Sequence, residues 1–252
     1  MKQLVRLLLS TLGLSLLVLT TAESAGTQLA AKSHSTSAPS PLTPDPPRVP
    51  VPTVVRPSAL SQHVLDLAMM AATCAESRDL VDSPKTLTII DYSLPSTSPR
   101  LWVLDLGTGR TLYEEVVAHG RGSGGNMATA FSNFADSHQS SLGLFVTEDT
   151  YVGQNGYSMR LTGLEPGVND LARTRAIVMH GAPYVDPSLA ATQGRLGRSW
   201  GCPALRPAVA KQIIDSIKGG NLLFAYYPEK DWLEGSPFLG GCSSPRRSTA
   251  SD

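Results

Sequence analysis

The sequence predicts a mostly β domain, closed or sandwiched, with α-helices on its flank. Most apolar segments of the chain are short, one of them (86–92) is rich in β-branched residues, and only two have the three- and four-residue spacing of an amphipathic helix. Charged residues are only 17% of the 252 residues, and 22 Gly and 19 Pro supply turns. With 41% apolar residues, a chain of this length has enough material for one good-sized core.

The first 22 residues are predicted to be a signal peptide. Lys2 and Arg6 precede an apolar run over residues 7–19, which is shorter than the roughly 20 residues that span a bilayer. Small residues before Ala22 favour cleavage after it. We therefore expect an exported protein of the periplasm or cell envelope without a transmembrane anchor after cleavage; an uncleaved anchor is the alternative.

Residues 23–57 are predicted to be an unstructured linker. Ser, Thr, Ala and Pro dominate this stretch, and proline removes backbone donors and disfavours helix in the residue before it. The alternative is an edge strand around residues 49–55. A folded domain over residues 58–240 and a flexible tail over 241–252 complete the predicted organisation.

The folded domain is predicted to begin with a helix capped by Ser58. Its apolar stripe is formed by Leu60, Val64, Leu65, Ala68, Met69 and Ala72. A second helix is expected over 207–218, starting at Pro207 and ending at a glycine pair. The predicted strands cover residues 86–92, 101–106, 111–117, 142–147, 158–161, 175–180 and 221–227, the second and third forming a hairpin.

Charge and cysteine content exclude some classes of protein. The 21 Lys and Arg balance 21 Asp and Glu, so the chain lacks the basic surface of a nucleic-acid-binding protein. Three cysteines are too few for a disulfide-built miniprotein and cannot all pair within one chain. The scattered histidines show no metal-ligand spacing, so no metal site is expected.

The residues best suited to catalysis lie between 180 and 206. His180 ends an apolar run, and Cys202 follows the small residue Gly201. A cysteine becomes a nucleophile when a nearby imidazole assists its deprotonation, and the amides of Gly201 and Cys202 are candidate donors to an oxyanion. The alternatives for this pair are a buried core cysteine and a hydrogen-bonded core histidine.

Several short motifs resemble the catalytic domain of the L,D-transpeptidases, the YkuD-type family of bacterial cell-wall enzymes. Its murein L,D-transpeptidase branch has the pattern Ser-x-Gly-Cys-Pro-Ala, which is present here from Ser199 to Ala204. Further matching stretches are residues 131–133, 141–143, 151–153, 156–158, 161–165 and 180–184. The resemblance extends from about residue 60 to 235 and implies a YkuD-like β-sandwich or barrel-type domain with flanking helices.

The resemblance also implies a reaction. In this family a cysteine attacks the carbonyl after the L-centre of a diamino acid in a peptidoglycan stem peptide, forms a thioester and passes the acyl group to the amine of a second stem. The implied partners are donor and acceptor stem peptides, and no metal or organic cofactor is implied. Hydrolysis of the same thioester, an L,D-carboxypeptidase activity, and a cell-wall-binding module without turnover are the alternatives.

Site roles follow from the resemblance position by position. Cys202 is the expected nucleophile, His180 its base, and the Gly181 carbonyl the group that orients the imidazole. Ser199 is expected to shape the turn or to touch substrate, and Tyr184 is a further candidate substrate contact.

Two positions depart from the family pattern. Trp200 stands where histidine is usual, and it is expected to pack beside the thiol or to line the donor groove. Ala204 replaces the usual arginine, and Arg206 lies two residues further on. Arg206 is expected either to bind a stem carboxylate or to be a solvated residue at a helix start.

The same resemblance implies which of the three cysteines form a disulfide. In an oxidising compartment the catalytic thiol must escape pairing, so Cys74 and Cys242 are the expected disulfide partners.

Overall fold

A computed structural model describes Pro57, residues 59–240 and Cys242. The predicted signal peptide, the linker apart from Pro57 and the tail apart from Cys242 lie outside these residues. Within them, no helix has the length and apolar character needed to cross a membrane.

One sheet of eight strands dominates the domain and confirms the predicted mostly β class. In chain order the strands are β1 (Thr86–Asp91), β2 (Leu101–Asp105), β3 (Thr111–Glu115), β4 (Gly143–Gly153), β5 (Gly156–Gly163), β6 (Val178–Gly181), β7 (Ala204–Leu205) and β8 (Leu222–Tyr226). Four helices accompany them: α1 (Gln62–Ser77), α2 (Pro187–Gln193), α3 (Pro207–Ile217) and α4 (Lys230–Gly235).

The strands lie in the order β3-β2-β1-β8-β4-β5-β6-β7. Just beyond β3, Ala118 forms an antiparallel bridge with Ala204 of β7, so the two edges of the sheet meet. The sheet is therefore nearly closed, like a barrel, and β7 lies between β6 and the chain that continues from β3.

The centre of the sheet is formed by β1 and β8, which pair in parallel. Every residue of these two strands is buried. Complete burial of this kind is typical of strands covered on both faces. Helix α1 packs on β1 and β8, and α3 packs on β1, β5 and β6, so the helices flank the sheet as predicted.

The first helix differs from the prediction at its start. It begins at Gln62 with Ser61 as N-cap, whereas the predicted cap was Ser58. Residues 59 and 60 form a turn instead, in which the amide of Leu60 donates to the carbonyl of Pro57 over 3.1 Å. The predicted apolar stripe is otherwise confirmed, because Val64, Leu65, Ala68 and Ala72 are buried.

The predicted disulfide is also confirmed. Cys74, near the end of α1, is bonded to Cys242, with 5.2 Å between the Cα atoms. The chain just before Cys242 is held to the same helix, since Arg78 Nη2 donates to the carbonyl of Pro237 over 2.9 Å. These contacts attach the segment that follows α4 to the first helix of the domain.

Candidate active site

Strand β6, which carries His180, lies between β5 and β7. His180 is in register with Ser158 of β5 and Ala204 of β7. Because β6 and β7 run parallel, Cys202, two residues before Ala204, comes beside Val178. The Val178 N–H donates a hydrogen bond of 3.5 Å to Cys202 Sγ. The strand pairing therefore brings the cysteine next to the strand that carries the histidine.

The thiol of Cys202 is buried and is not part of a disulfide. The side chain is 8% exposed, and it is the free cysteine of the described residues. Its Sγ donates to the carbonyl of Ala176 over 3.7 Å. Burial raises the pKa of this thiol, while the Val178 N–H and the charge of Arg175 act in the opposite direction. The resting sulfur is therefore a thiol that needs a base before it can attack.

The imidazole of His180 has the properties of such a base. Its Nδ1 lies 3.1 Å from the carbonyl oxygen of Gly181. A carbonyl only accepts, so Nδ1 carries the proton and Nε2 keeps a lone pair. Burial lowers the pKa of His180, and the bond to Gly181 opposes this. At neutral pH the ring is therefore neutral and able to accept a proton.

Gly181 owes its identity to close packing as well as to this bond. A Cβ at this position would lie 2.9 Å from the Cβ of Ala210 in α3. A larger residue would push the helix away from β6 and move the histidine that precedes it. The contact between helix and strand thus fixes the end of β6.

The turn that presents Cys202 is closed by Ser199. The Ser199 hydroxyl donates to the carbonyl of Cys202 over 2.6 Å and accepts from the amide of Gly201 over 3.1 Å. The backbone of Ser199 is itself paired, because its N–H donates to His119 and its carbonyl accepts from Arg121. Ser199 is thus placed as the residue that shapes the turn.

Gly201 has a conformation that other residues rarely adopt, with φ at +119°. A Cβ here would also lie 2.8 Å from both the carbonyl oxygen of Gln139 and Cδ1 of Ile177. Its amide is already donated to Ser199, so the Cys202 amide is the remaining candidate of the predicted oxyanion pair.

A pocket of about 480 Å³ adjoins these groups. Cys202 and His180 both line it, together with the predicted residues Ser199, Trp200 and Tyr184. Among the described residues, no group of three or more His, Cys, Asp or Glu side chains is arranged to hold a metal ion.

The two aromatic residues of the pocket differ in exposure. Trp200 is 68% exposed, and its ring stacks on His138 with 4.9 Å between the centroids. Its ring thus forms a solvent-exposed part of the pocket wall. Tyr184 is half-buried, and burial, aided by the nearby Cys202, raises the pKa of its phenol to about 12. Tyr184 therefore faces the pocket as a neutral hydroxyl.

The position of Arg206 agrees with the second of its two predicted roles, an arginine at a helix start. Arg206 lies outside the residues that line the pocket, at the N-cap of α3. Its Nε donates to Glu115 Oε2 over 2.9 Å, and Nη2 binds the same oxygen. The guanidinium is thus paired with a carboxylate at the end of β3, while 37% of the side chain remains exposed at the start of α3.

Sequence reasoning missed four polar residues of the pocket. Arg175 and Arg198 line it, as do Gln154 and Asn155 from the turn between β4 and β5. The dipeptide Asn155-Gly156 is a typical hairpin turn and was the available signal for that turn. Nothing in the local sequence marked the two arginines, because their placement depends on the pairing of distant segments.

Residues 56–226 match the family described as the L,D-transpeptidase catalytic domain. The chain belongs to this family. The comparison with curated proteins gave no match.

Solved structures with a similar fold include L,D-transpeptidases of low sequence identity. An L,D-transpeptidase from Mycobacterium smegmatis is 15% identical, with 57% of this chain and 59% of that chain covered and a TM-score of 0.36. L,D-transpeptidase 3 from Mycobacterium tuberculosis, in complex with a faropenem-derived adduct, is 13% identical, with coverage of 57% and 61% and a TM-score of 0.35. The helical cell shape determining protein Pgp2 from Campylobacter jejuni is 12% identical, with coverage of 65% and 56% and a TM-score of 0.41. The aligned part spans less than two thirds of each of these structures.

Proposed function

We propose that this L,D-transpeptidase-family chain cross-links peptidoglycan stem peptides through a thioester on Cys202. The observation that carries the proposal is the shared pocket: a free, buried thiol and a neutral imidazole line one cavity of about 480 Å³. A nucleophile beside a base that is oriented by a third group is the arrangement that covalent acyl transfer requires.

In the first step Sγ attacks the carbonyl carbon after the L-centre of the donor stem. His180 Nε2 takes the thiol proton, while the Gly181 carbonyl keeps Nδ1 protonated and holds the ring. The tetrahedral intermediate then collapses, the bond to the D-residue nitrogen breaks, and the imidazolium returns the proton to that nitrogen. The products are a thioester and a free D-amino acid.

In the second step an amine of the acceptor stem attacks the thioester carbonyl. His180 takes a proton from this amine, the carbon–sulfur bond breaks, and the proton goes to the departing thiolate. The result is a new peptide bond with no net change in the enzyme. Water in place of the amine gives the carboxypeptidase reaction, so the two outcomes differ only in the nucleophile that reaches the thioester.

The oxyanion formed in both steps needs a donor, and the Cys202 N–H is the proposed one. Gly201 contributes through the shape of the turn, because its own amide bonds to Ser199. A single well-placed amide donor is worth about a hundredfold or more in rate in comparable acyl transfers.

The pocket wall suggests how a stem peptide is held. The indole of Trp200 offers a flat apolar face, and the Tyr184 hydroxyl is a neutral hydrogen-bonding group. The proposal assigns substrate contact to these two residues and withdraws it from Arg206.

Export to the periplasm or cell envelope belongs to the same proposal. It is supported by the Cys74–Cys242 disulfide, since disulfides persist in oxidising compartments. N-terminal sequencing of the mature protein tests this, with cleavage after Ala22 as the expected result and an intact Met1 as the contrary one.

The central experiment is incubation of purified protein with a disaccharide tetrapeptide. Cross-linked dimers are expected from the wild type and none from Cys202→Ala, with Lys230→Ala on the exposed face of α4 as a matched control that retains activity. Trimmed tripeptides without dimers would indicate the carboxypeptidase instead. Activity in the Cys202→Ala protein would exclude the proposed nucleophile.

Intact-mass measurement after addition of a carbapenem provides an independent check. A covalent adduct that maps to the peptide containing Cys202 is expected, and its absence in folded, active protein would count against the acyl-enzyme.

A further inference from the structure

Arg175 is held in place by the loop that lies behind the catalytic turn. Its Nη1 donates to the carbonyl of Ser132 and to the hydroxyl of Ser141, both over 2.6 Å. Its Nη2 donates to the carbonyl of Gln139 over 2.7 Å and to the hydroxyl of Ser137 over 3.2 Å. These four bonds fix the plane and the position of the guanidinium.

All four acceptors are neutral oxygens. Within the described part of the chain, the ion pairs involve other residues, and none includes Arg175. The hydrogen bonds therefore satisfy the guanidinium without cancelling its positive charge. A half-buried cation of this kind exerts a field on its neighbours that solvent screens only in part.

The neighbour that feels this field is Cys202. Arg175 and Cys202 line the same pocket, and Nη2 lies 3.5 Å from the point where a Cβ on Gly201 would be. The residue after Arg175, Ala176, accepts the hydrogen bond from Cys202 Sγ. The guanidinium is thus adjacent to the residue before the cysteine, and the backbone residue that follows Arg175 accepts the thiol proton.

Three other titratable side chains near the thiol do not supply a positive charge in the resting site. His180 is neutral because burial lowers its pKa, and Tyr184 is neutral because burial raises its pKa. Tyr92, buried behind the turn, is likewise neutral with a raised pKa. Arg198 is a second cation of the pocket, with Nη1 donating to the carbonyl of Gly124 over 2.7 Å, but of the two arginines Arg175 is the one whose charge acts on the thiol.

We propose that Arg175 is a positioning residue whose fixed positive charge stabilises the Cys202 thiolate. The inference rests on the proposed function, because it assigns Arg175 a part in preparing that nucleophile. An opposite charge within a few ångströms lowers a pKa by about 1 to 3. That effect offsets part of the penalty that burial imposes on the thiolate. Proton transfer from the thiol to the neutral base His180 is then less unfavourable.

Alkylation of the thiol measures this effect without any substrate. The chain has three cysteines, and two of them form the disulfide, so under non-reducing conditions iodoacetamide reports on Cys202 alone. The rate of alkylation follows the thiolate fraction, and its midpoint against pH gives the pKa of the thiol. For Arg175→Gln we expect the midpoint to rise by about 1 pH unit, with roughly tenfold slower alkylation at pH 7, whereas Arg175→Lys stays closer to the wild type.

A second pair of variants leaves Arg175 in place. Ser137→Asp puts a carboxylate beside Nη2, and Ser137→Asn puts a neutral group of similar size there. The midpoint is expected to rise in the Asp variant and to stay at the wild-type value in the Asn variant. An unchanged midpoint in both Arg175→Gln and Ser137→Asp, in protein that folds normally, would overturn the inference.

The same measurements separate this inference from the proposed function. If the midpoint moves as expected but the wild type makes no cross-links, only the proposed function fails. If the wild type makes cross-links and the midpoint does not respond to the charge at these positions, only the role of Arg175 fails.

Discussion

The hydroxyl of Ser140 donates a hydrogen bond of 3.0 Å to the carbonyl oxygen of Gly201. In a trans peptide the carbonyl and the following N–H point in opposite directions. The bond therefore holds the Cys202 N–H on the side away from Ser140. Ser140 is 1% exposed, and its oxygen also accepts from the amide of Gly120 over 3.0 Å, so its own orientation is fixed.

Replacing Ser140 with Ala is expected to lower kcat for cross-linking by roughly tenfold, because the proposed oxyanion donor is then less well aimed. Alkylation of Cys202 develops no oxyanion, so its rate is expected to remain at the wild-type value. Thr147→Val is a suitable control, since it removes another buried hydroxyl that donates to the carbonyl of Ile217, far from the turn. Equal losses of kcat in the two variants would show that the role of Ser140 is only structural.

Ala176, whose carbonyl accepts the hydrogen bond from the thiol, has a strained backbone conformation. Its φ is +54°, a left-handed conformation that costs a non-glycine residue about 1 kcal/mol or more. We expect Ala176→Gly to raise the free energy of unfolding by about 0.5–1 kcal/mol, measured by urea denaturation. The same change at Ala210, inside α3, is expected to lower it by about 1 kcal/mol. A loss at both positions would show that Ala176 is not strained.

The disulfide is expected to contribute strongly to stability. It closes a loop with a sequence separation of 168 residues, and long loops lose much of their unfolded-state entropy when they are cross-linked. The double variant Cys74→Ala and Cys242→Ala should lose about 2–5 kcal/mol of unfolding free energy in thermal or urea denaturation. The reduced wild type should lose a similar amount, and an unchanged midpoint in both would contradict this.

The fold could be predicted largely from apolar patterning, and the exceptions have physical causes. Strands such as β1 and β8 are buried along their whole length, so a short β-branched run marked β1 and a short apolar run marked β8. The two-residue β7 lies between Pro203 and Pro207 and exists only because the sheet edges close around it, which no local pattern reports. Helix α2 was also missed, although Asp186 caps it through the amide of Ser188, and the Asp-Pro pair at its start was a usable signal.

The candidate site was predictable in its reacting groups and not in its supporting groups. Cys202 and His180 carry chemistry that is visible in their residue types and motifs. Arg175 and Ser140 act only through contacts with a loop that folds beside the catalytic turn, so their roles depend on tertiary distances. Arg206 illustrates the converse, since its sequence position suggested a substrate contact and its partner is Glu115.

A buried pair, Arg100 and His119, is expected to make stability depend on pH. Both side chains are fully buried, and Arg100 Nη2 lies 2.8 Å from His119 Nδ1. Arginine only donates, so Nδ1 accepts and the ring proton is on Nε2. Burial and the nearby guanidinium lower the pKa of His119 to about 4. The pair therefore requires a neutral imidazole.

The sign of the pH effect follows from the two states of His119. In the unfolded chain the histidine titrates near 6.5, so between about pH 6.5 and 4 the unfolded state binds a proton that the folded state excludes. The free energy of unfolding should therefore fall by up to about 3 kcal/mol as the pH drops through this window. In His119→Asn the amide oxygen can still accept from Arg100, but the side chain does not titrate. We expect urea denaturation at pH 7 and pH 4.5 to show a smaller loss of stability in this variant than in the wild type. Equal losses in the two proteins would mean that folded His119 is protonated at pH 4.5, so that folding does not lower its pKa.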